Sequence, residues 1–159
     1  MLYLLDGYNV LRRMQDLYPG IAGENKESLI SFLSHYKPQG RNNAIVFFDG
    51  YGDMSNSYGK IKVLFSRDIS ADEHILEFLK KSQKQKCYYL VTDDRELGFK
   101  AGNFDARVIA VTDFVGAVFK RKRREEKESS DKISPFSPQA YEINKELEDL
   151  WLKRRRNTG

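Results

Sequence analysis

The stretch that decides the fold is residues 2–10, LYLLDGYNV. Its first four residues are apolar or aromatic, and a short run of this kind is typical of a β-strand buried on both faces. The run ends at Asp6, which Gly7 follows. A buried strand does not need a charge at its end, so Asp6 is the first candidate functional residue.

Similar short apolar runs recur along the chain. The further predicted strands are residues 44–48, 61–65, 87–91 and 107–111. Helices are predicted after the caps Asn25 and Ser70, from about residue 92 toward Gly102, and after Thr112. Because helices lie between most of the strands, crossover connections and parallel pairing are expected. The sequence predicts an α/β sandwich with helices on both faces of a mostly parallel sheet of about five strands.

The last part of the chain differs in composition from the rest. Residues 126–137 are polar and contain Pro135, which indicates a linker. Residues 138–159 begin with a proline, a common first helical residue, and carry an apolar stripe at helical spacing. We therefore predict one domain over residues 1–125, a linker over 126–137, and a C-terminal amphipathic helix with a basic tail over 138–159.

Length and composition limit the kinds of site that the chain can form. At 159 residues, with 40% hydrophobic and 31% charged residues, it is an ordinary globular chain. The single cysteine, Cys87, excludes an internal disulfide and any Cys-rich zinc site, and its apolar neighbours predict burial. The two histidines, His35 and His74, are far apart in sequence. A bound metal would therefore need oxygen ligands.

The positive charge is concentrated toward the C-terminal end. The net charge is +4, and residues 153–156 form one basic block. The other consists of Lys120, Arg121, Lys122, Arg123 and Arg124. A polyanionic partner such as RNA explains these blocks, although helix ends and solvated tails explain either block alone equally well. No apolar run is long enough for a membrane span and the first residues do not resemble a signal peptide, so we expect a cytoplasmic protein.

Acidic residues follow several of the predicted strands. Asp6, Asp49 and Asp94 each lie at or just beyond a strand end, and Asp72 lies in the first turn of a helix. The carboxyl ends of parallel strands share one edge of the sheet, so these acids can converge there. Carboxylates held close together repel one another, and a divalent cation relieves that repulsion. Oxygen ligands favour Mg²⁺ or Mn²⁺ over zinc.

Each of these acids also has an ordinary structural explanation. Helix capping accounts for Asp72, Asp93 and Asp94, and a turn accounts for Asp49. Asp6 is the acid that such explanations fit least well.

Three uncharged side chains near these acids also have two interpretations. Asn9 could orient a phosphate or a metal-bound water, or could cap a helix. Tyr8 and Tyr51 could stack on RNA bases or could simply pack.

Four motifs resemble those of a known family: DGYNV at residues 6–10, FDGYG at 48–52, SADE at 70–73 and VTDD at 91–94. Over about residues 1–125 the chain resembles the YacP-like branch of the NYN domain family, within the PIN-like nuclease superfamily. The resemblance implies a PIN-like α/β/α sandwich and Mg²⁺- or Mn²⁺-dependent endoribonuclease activity. It also implies mRNA as the substrate and association with the ribosome.

The same resemblance assigns roles to particular residues. Asp6 matches the first metal-binding acid, Asn9 the accompanying asparagine, Asp72 the acid of the Ala-Asp-Glu motif, and Asp94 the acid of the fourth motif. The chain departs from the pattern at Asp93, where relatives commonly carry serine. The additional acid leaves the choice between Asp93 and Asp94 as ligand open.

The leading hypothesis is a metal-dependent endoribonuclease that acts on single-stranded RNA. The alternative is a non-catalytic RNA- or ribosome-binding module whose acid cluster is structural. A phosphatase of the haloacid-dehalogenase type also has an aspartate after its first strand. That chemistry needs a second acid two residues later, where this chain has Tyr8.

Overall fold

The computed structural model describes residues 1–19, 25–52, 56–82 and 87–130. Its strands are β1 (Leu2–Asp6), β2 (Asn43–Phe48), β3 (Ser57–Tyr58), β4 (Ile61–Phe65), β5 (Tyr88–Val91) and β6 (Arg107–Ile109). Its helices are α1 (Gly7–Leu17), α2 (Lys26–Tyr36), α3 (Ala71–Lys81), α4 (Arg95–Gly102) and α5 (Val111–Ser130). The predicted C-terminal helix and residues 131–137 of the predicted linker lie outside the described residues.

The strands form one sheet in the order β3-β4-β2-β1-β5-β6. Four pairs of neighbouring strands are parallel: β4 with β2, β2 with β1, β1 with β5, and β5 with β6. The edge strand β3 runs antiparallel to its neighbour β4. β1 lies at the centre, where Leu5 pairs with Val46 of β2 and Val91 of β5. The predicted mostly parallel sheet is confirmed. β3 is an additional strand, which the turn-rich composition of residues 50–59 conceals.

Helices cover both faces of the sheet. Alternate residues of each buried strand point to opposite sides, so Leu5 joins one core and Leu4 the other. The first core contains the apolar faces of α1, α2 and α5, and the second contains those of α3 and α4. The three-layer α/β/α sandwich is therefore confirmed.

Two helix starts follow directly from local sequence. Asn25 accepts a hydrogen bond from the backbone N–H of Ser28 at 2.9 Å, which caps α2. Ser70 and Glu73 exchange hydrogen bonds with each other's backbone at 3.1 Å and complete the predicted capping box of α3. Both motifs involve residues three apart, which is why the sequence alone predicts them.

Other local predictions were wrong or incomplete. α1, which was not predicted, begins at Gly7 directly after β1. α4, which was predicted to begin near residue 92, begins at Arg95 with Asp94 as its cap. β6 ends at Ile109, and α5 begins at Val111 without Thr112 as its cap. Cys87 is exposed because β5 begins one residue later and leaves it outside the packed layers.

The chain divides into two units, residues 1–120 and residues 121–159. α5 continues to Ser130, so its end covers the first part of the predicted linker. Glu125, Glu126 and Lys127 are good helix formers, which accounts for this extension. The predicted boundary at residue 125 stays a prediction. Among the described helices, none combines the length and the apolar character needed to span a bilayer.

Candidate functional site

A crevice is expected where the strand order reverses. From β1 the chain first builds toward β2 and β4, and it then returns to the other side of β1 at β5 and β6. In open α/β sheets, ligands bind outside the carboxyl ends of the strands at such a switch point. Asp6 ends β1, and Asp94 follows β5. The topology therefore places two of the predicted acids on either side of this point.

Asp6 is the most perturbed acid of the site. It is 8% exposed, ends β1 and caps α1, and its Oδ1 accepts a long hydrogen bond of 3.4 Å from the backbone N–H of Asn9. Burial, which is the largest effect, and the nearby charges of Asp72, Asp49 and Asp94 together raise the pKa of Asp6 from 3.8 to about 7, although the hydrogen bond from the N–H of Asn9 opposes them. The negative form of Asp6 is thus costly in the absence of a cation.

Asp72 faces Asp6 from the first turn of α3. Burial raises the pKa of Asp72, as do the charges of Asp94 and Asp49, whereas a hydrogen bond with the Asp6 side chain lowers it. The Asp6 and Asp72 side chains therefore affect each other's ionisation at the edge of the sheet.

Asp49 and Asp94 contribute to the cluster while they cap helices. Oδ1 of Asp49 accepts a 2.6 Å hydrogen bond from the N–H of Ala71 at the start of α3. Oδ1 of Asp94 accepts bonds of 2.8 and 3.0 Å from the N–H groups of Glu96 and Leu97 in α4. In both residues these bonds go to one carboxylate oxygen. Capping and a place in the acid cluster are therefore compatible.

The helix amino ends reduce the repulsion among the acids. α1, α3 and α4 each begin beside an aspartate of the cluster, Asp6, Asp49 and Asp94 respectively. A helix amino end carries a partial positive charge, which stabilises a nearby carboxylate. This arrangement partly offsets the repulsion among the carboxylates, since Asp6 has no ion pair with a basic side chain among the described residues.

Asp93 does not join the cluster. Its Oδ1 accepts a 2.9 Å hydrogen bond from the N–H of Val111 at the start of α5. Its Oδ2 lies 3.0 Å from Nε of Arg13, an ion pair in which the N–H does not point directly at the oxygen. The structure therefore gives Asp93 two structural contacts and places Asp94 with the other acids.

Asn9 contacts the loop of the fourth motif. Its Oδ1 accepts a 3.0 Å hydrogen bond from the N–H of Asp93, across 84 residues of sequence. This bond ties α1 to the segment that carries Asp94. The contact seen for Asn9 is thus one that positions the loop, and it is not the helix cap considered from the sequence.

Two basic side chains near these acids were missed from the sequence. Arg13 lies one turn beyond Asn9 on α1 and pairs with Asp93. Lys100 bonds to Glu96 at 2.6 Å, and that bond mainly, with smaller effects from the charges of Asp72 and Asp94, raises its pKa. The spacing of Glu96 and Lys100 by four residues indicates a helical pair but does not reveal the nearby acids.

The aromatic and basic candidates occupy exposed positions. Tyr8 is 42% exposed with its ring edge against Phe48, and Tyr51 is 73% exposed with its hydroxyl donating to Asp68. The basic residues 120–124 lie on α5, where all except the partly exposed Lys122 are exposed. Residues 153–156, the second basic block, lie outside the described residues.

A serine nucleophile is not a good candidate in this fold. Ser66 Oγ lies 3.2 Å from Nδ1 of His74, but Ser66 is only 6% exposed. The His74 ring packs edge-on against Phe47, and burial lowers its pKa. A substrate cannot reach this hydroxyl, so the pair is best explained as packing.

The geometry also bears on metal binding. Within the described part of the chain, no group of three His, Cys, Asp or Glu side chains is arranged to hold a metal ion. The acids do supply hard oxygen donors, and Asp6 is a buried carboxyl whose charge needs compensation. Mg²⁺ commonly binds through one or two carboxylates and keeps several waters. The donor set fits such an ion better than one that requires a full protein cage.

The raised pKa of Asp6 predicts how stability depends on pH. Because the pKa of Asp6 is about 7 in the folded state and ordinarily 3.8, the folded state binds more protons than the unfolded state between these pH values. The free energy of unfolding should fall by roughly 3 kcal/mol from about pH 4 to pH 7, and then level off. Urea unfolding in EDTA measures this slope. Asp6→Asn should flatten most of it, and an unchanged slope would contradict the assignment.

Comparisons with known proteins agree with this architecture. The family described as the YacP-like NYN domain matches residues 3–156. A crystal structure of a tryptophan-to-leucine mutant of Rae1 (YacP) from Bacillus subtilis matches with a TM-score of 0.62 and 21% identity, over 86% of this chain and 87% of that chain. A second crystal structure of Rae1 (YacP) from Bacillus subtilis matches with a TM-score of 0.58 and 22% identity, over 98% and 95%. No curated protein matches the chain. At these identities, the solved structures support the fold alone.

Proposed function

The chain belongs to the YacP-like NYN domain family, a ribonuclease family, and from this membership we propose that it is a metal-dependent endoribonuclease. Its substrate in this proposal is single-stranded RNA, whose phosphodiester bonds it hydrolyses. The observation that carries the proposal is the group of four aspartates at the switch point, with a buried Asp6 whose pKa is raised to about 7. Strongly shifted groups in a cleft are typical of functional sites.

Asp6, Asp72 and Asp94 are the proposed residues of a Mg²⁺ or Mn²⁺ site, with one or two of them as direct ligands and the rest acting through bound water, and Asp49 contributes at longer range. Such an ion activates water and stabilises negative charge on a phosphodiester. A bound cation would compensate the charge of Asp6 and would thereby favour its ionised form. Asn9 acts as a positioning residue, since it holds the backbone of the loop that carries Asp94.

The RNA itself is proposed to bind through exposed aromatic and basic side chains. Tyr8 and Tyr51 offer exposed rings for base stacking. Residues 120–124 offer positive charge for phosphates. The family resemblance supports mRNA as the substrate and the ribosome as a partner, and we propose the cytoplasm as the place of action. Parallel cleavage assays on naked mRNA and on translating ribosomes test whether the ribosome is needed.

The direct test is a cleavage assay on a labelled single-stranded RNA with Mg²⁺, with Mn²⁺ or with EDTA. We expect internal cuts with either metal and none in EDTA. Undiminished cleavage in EDTA would exclude the metal mechanism. A fluorogenic phosphatase substrate included in the same series should give no turnover.

Replacing the two adjacent acids separately tests which of them serves the metal. Asp94→Asn should lower the cleavage rate by roughly a hundredfold, because it removes charge from the site while its amide oxygen can still cap α4. Asp93→Asn should lose the ion pair with Arg13, which should lower the free energy of unfolding by about 1 kcal/mol or less. It should keep most of the cleavage activity. Single-turnover cleavage and urea unfolding measure both. A larger loss of cleavage in Asp93→Asn would reverse the assignment.

A non-catalytic RNA-binding module is the second candidate. It is favoured by the capping bonds of Asp6, Asp49 and Asp94, each of which gives its carboxylate a structural role. This alternative predicts salt-sensitive RNA binding, weakened by neutralising residues 120–124, with no products under any metal. The cleavage assay described above separates the two functions.

A further inference from the structure

Lys26 makes an unusual set of contacts. It is the first residue of α2 and is partly exposed. Its ammonium lies 4.7 Å from the ring centroid of Phe65, 5.5 Å from that of Phe48 and 5.6 Å from that of Tyr8. These distances are within the range of cation–π attraction, so three rings hold the ammonium in place.

The rings hold this charge without neutralising it. No carboxylate among the described residues lies within ion-pairing distance of Lys26, although several aspartates occupy the same edge of the sheet. Aromatic faces attract a cation but contain no lone-pair acceptor of the kind that a carboxylate supplies. No carboxylate in the described part of the chain therefore competes with an anion for the three N–H donors of the ammonium.

The three rings lie beside the acid cluster. Tyr8 follows Asp6 by two residues in α1, Phe48 ends β2 directly before Asp49, and Phe65 ends the neighbouring strand β4. The ring centroids of Phe48 and Phe65 are 6.1 Å apart with their planes inclined at 27°, and the Tyr8 ring meets Phe48 edge-on. Lys26 and its rings thus continue the edge on which the aspartates lie.

Two glycines cover these rings with bare backbone. A Cβ on Gly7 would lie 2.4 Å from the Phe48 ring, and a Cβ on Gly52 would lie 2.4 Å from the Phe65 ring. The rings are therefore fixed by close backbone contact. The Tyr8 ring remains 42% exposed at the rim, where it offers a flat surface next to the ammonium.

We propose that Lys26 and Tyr8 form a subsite for one nucleotide of single-stranded RNA, next to the acid cluster. The Lys26 ammonium binds one phosphate, and the Tyr8 ring stacks on the attached base. A charge fixed beside a flat ring matches the alternation of phosphate and base in an unpaired strand. The identity of the ligand rests on the proposed function, but its binding does not require turnover.

Binding is measured on the full chain in EDTA, with a fluorescein-labelled oligoribonucleotide and fluorescence anisotropy at several salt concentrations. Lys26→Gln should weaken binding by roughly three- to tenfold and reduce the slope of log affinity against log salt by about 0.7, the value for one single-strand phosphate. Lys62→Gln, at an exposed position on β4 with the same loss of charge, is the control and should change neither quantity appreciably. Lys26→Arg should retain most of the affinity.

A second measurement locates the contacts on the RNA. One phosphate of the oligoribonucleotide at a time is replaced by an uncharged methylphosphonate. At one position in the RNA, this replacement should weaken binding to the unmodified protein but not to Lys26→Gln. Tyr8→Leu should lose roughly fivefold or more in affinity, and Tyr8→Phe should lose little because the ring is kept. Thermal unfolding checks that every variant is folded. If Lys26→Gln does not fold, the affinities of Lys26→Arg and Tyr8→Phe still test the subsite.

Equal losses in Lys26→Gln and Lys62→Gln, or an unchanged salt slope in Lys26→Gln, would overturn the subsite. Failure of the unmodified protein to bind single-stranded RNA, or preference for duplex RNA with no effect of Tyr8→Leu, would do so as well. If the protein binds RNA as expected but shows no cleavage with any of the metals tested, the subsite stands and the proposed hydrolysis fails. The two proposals are thereby tested separately.

Discussion

Asp6→Asn is expected to reduce metal-dependent RNA cleavage on the order of a thousandfold, with no loss of folding. Asp6 is the buried acid at the end of the central strand, and the charges of three other aspartates act on it. Asparagine has the same shape and can still accept the hydrogen bond from Asn9. It cannot supply the negative charge that would hold a cation at this point.

Stability distinguishes this result from simple damage. Because the charged form of Asp6 is disfavoured by burial, Asp6→Asn should be at least as stable as the unmodified protein above about pH 7. Asp16→Asn, an exposed position on the same helix, is the matched control and should keep full activity. Initial rates under single-turnover conditions and urea unfolding at the same pH give both quantities. Wild-type cleavage by folded Asp6→Asn would exclude Asp6 from the mechanism.

Gly7→Ala is expected to lower the free energy of unfolding by about 2–4 kcal/mol, a large effect for one methyl group. The added Cβ would lie 2.4 Å from Cε1 of Phe48 and 2.8 Å from the carbonyl oxygen of Phe47. The second contact is with backbone, so rotation of a side chain cannot relieve it. Either α1 or the end of β2 must shift.

Gly116→Ala is the control for this change, because its Cβ would meet nothing within 4 Å. It lies inside α5, where alanine is favoured over glycine, so it should raise stability by up to about 1 kcal/mol. Urea unfolding monitored by circular dichroism measures both variants. If Gly7→Ala had the same free energy of unfolding as the unmodified protein, the close packing of α1 on Phe48 would be contradicted. Gly7→Ala should also weaken RNA binding, because Phe48 contacts both Tyr8 and Lys26.

Much of the fold could be predicted because its signals are local. The capping residues Asn25 and Ser70 act on backbone groups three residues away, and uniformly apolar runs mark the buried strands. α1 was not predicted, even though Val10, Leu11, Met14 and Leu17 have helical spacing. The reason is that Asp6 both ends β1 and caps α1, so that no loop residue separates the two elements.

The amino-acid sequence by itself determined the fold class, the ends of most strands and the set of acids that could converge. Tertiary structure alone decided which acids meet, because strand order depends on pairing between distant segments. It places β5 beside β1, brings Asp94 into the cluster with Asp6, and directs Asp93 to Arg13. The raised pKa of Asp6 has the same origin, since burial and neighbouring charge do not exist until the sheet and its helices have assembled.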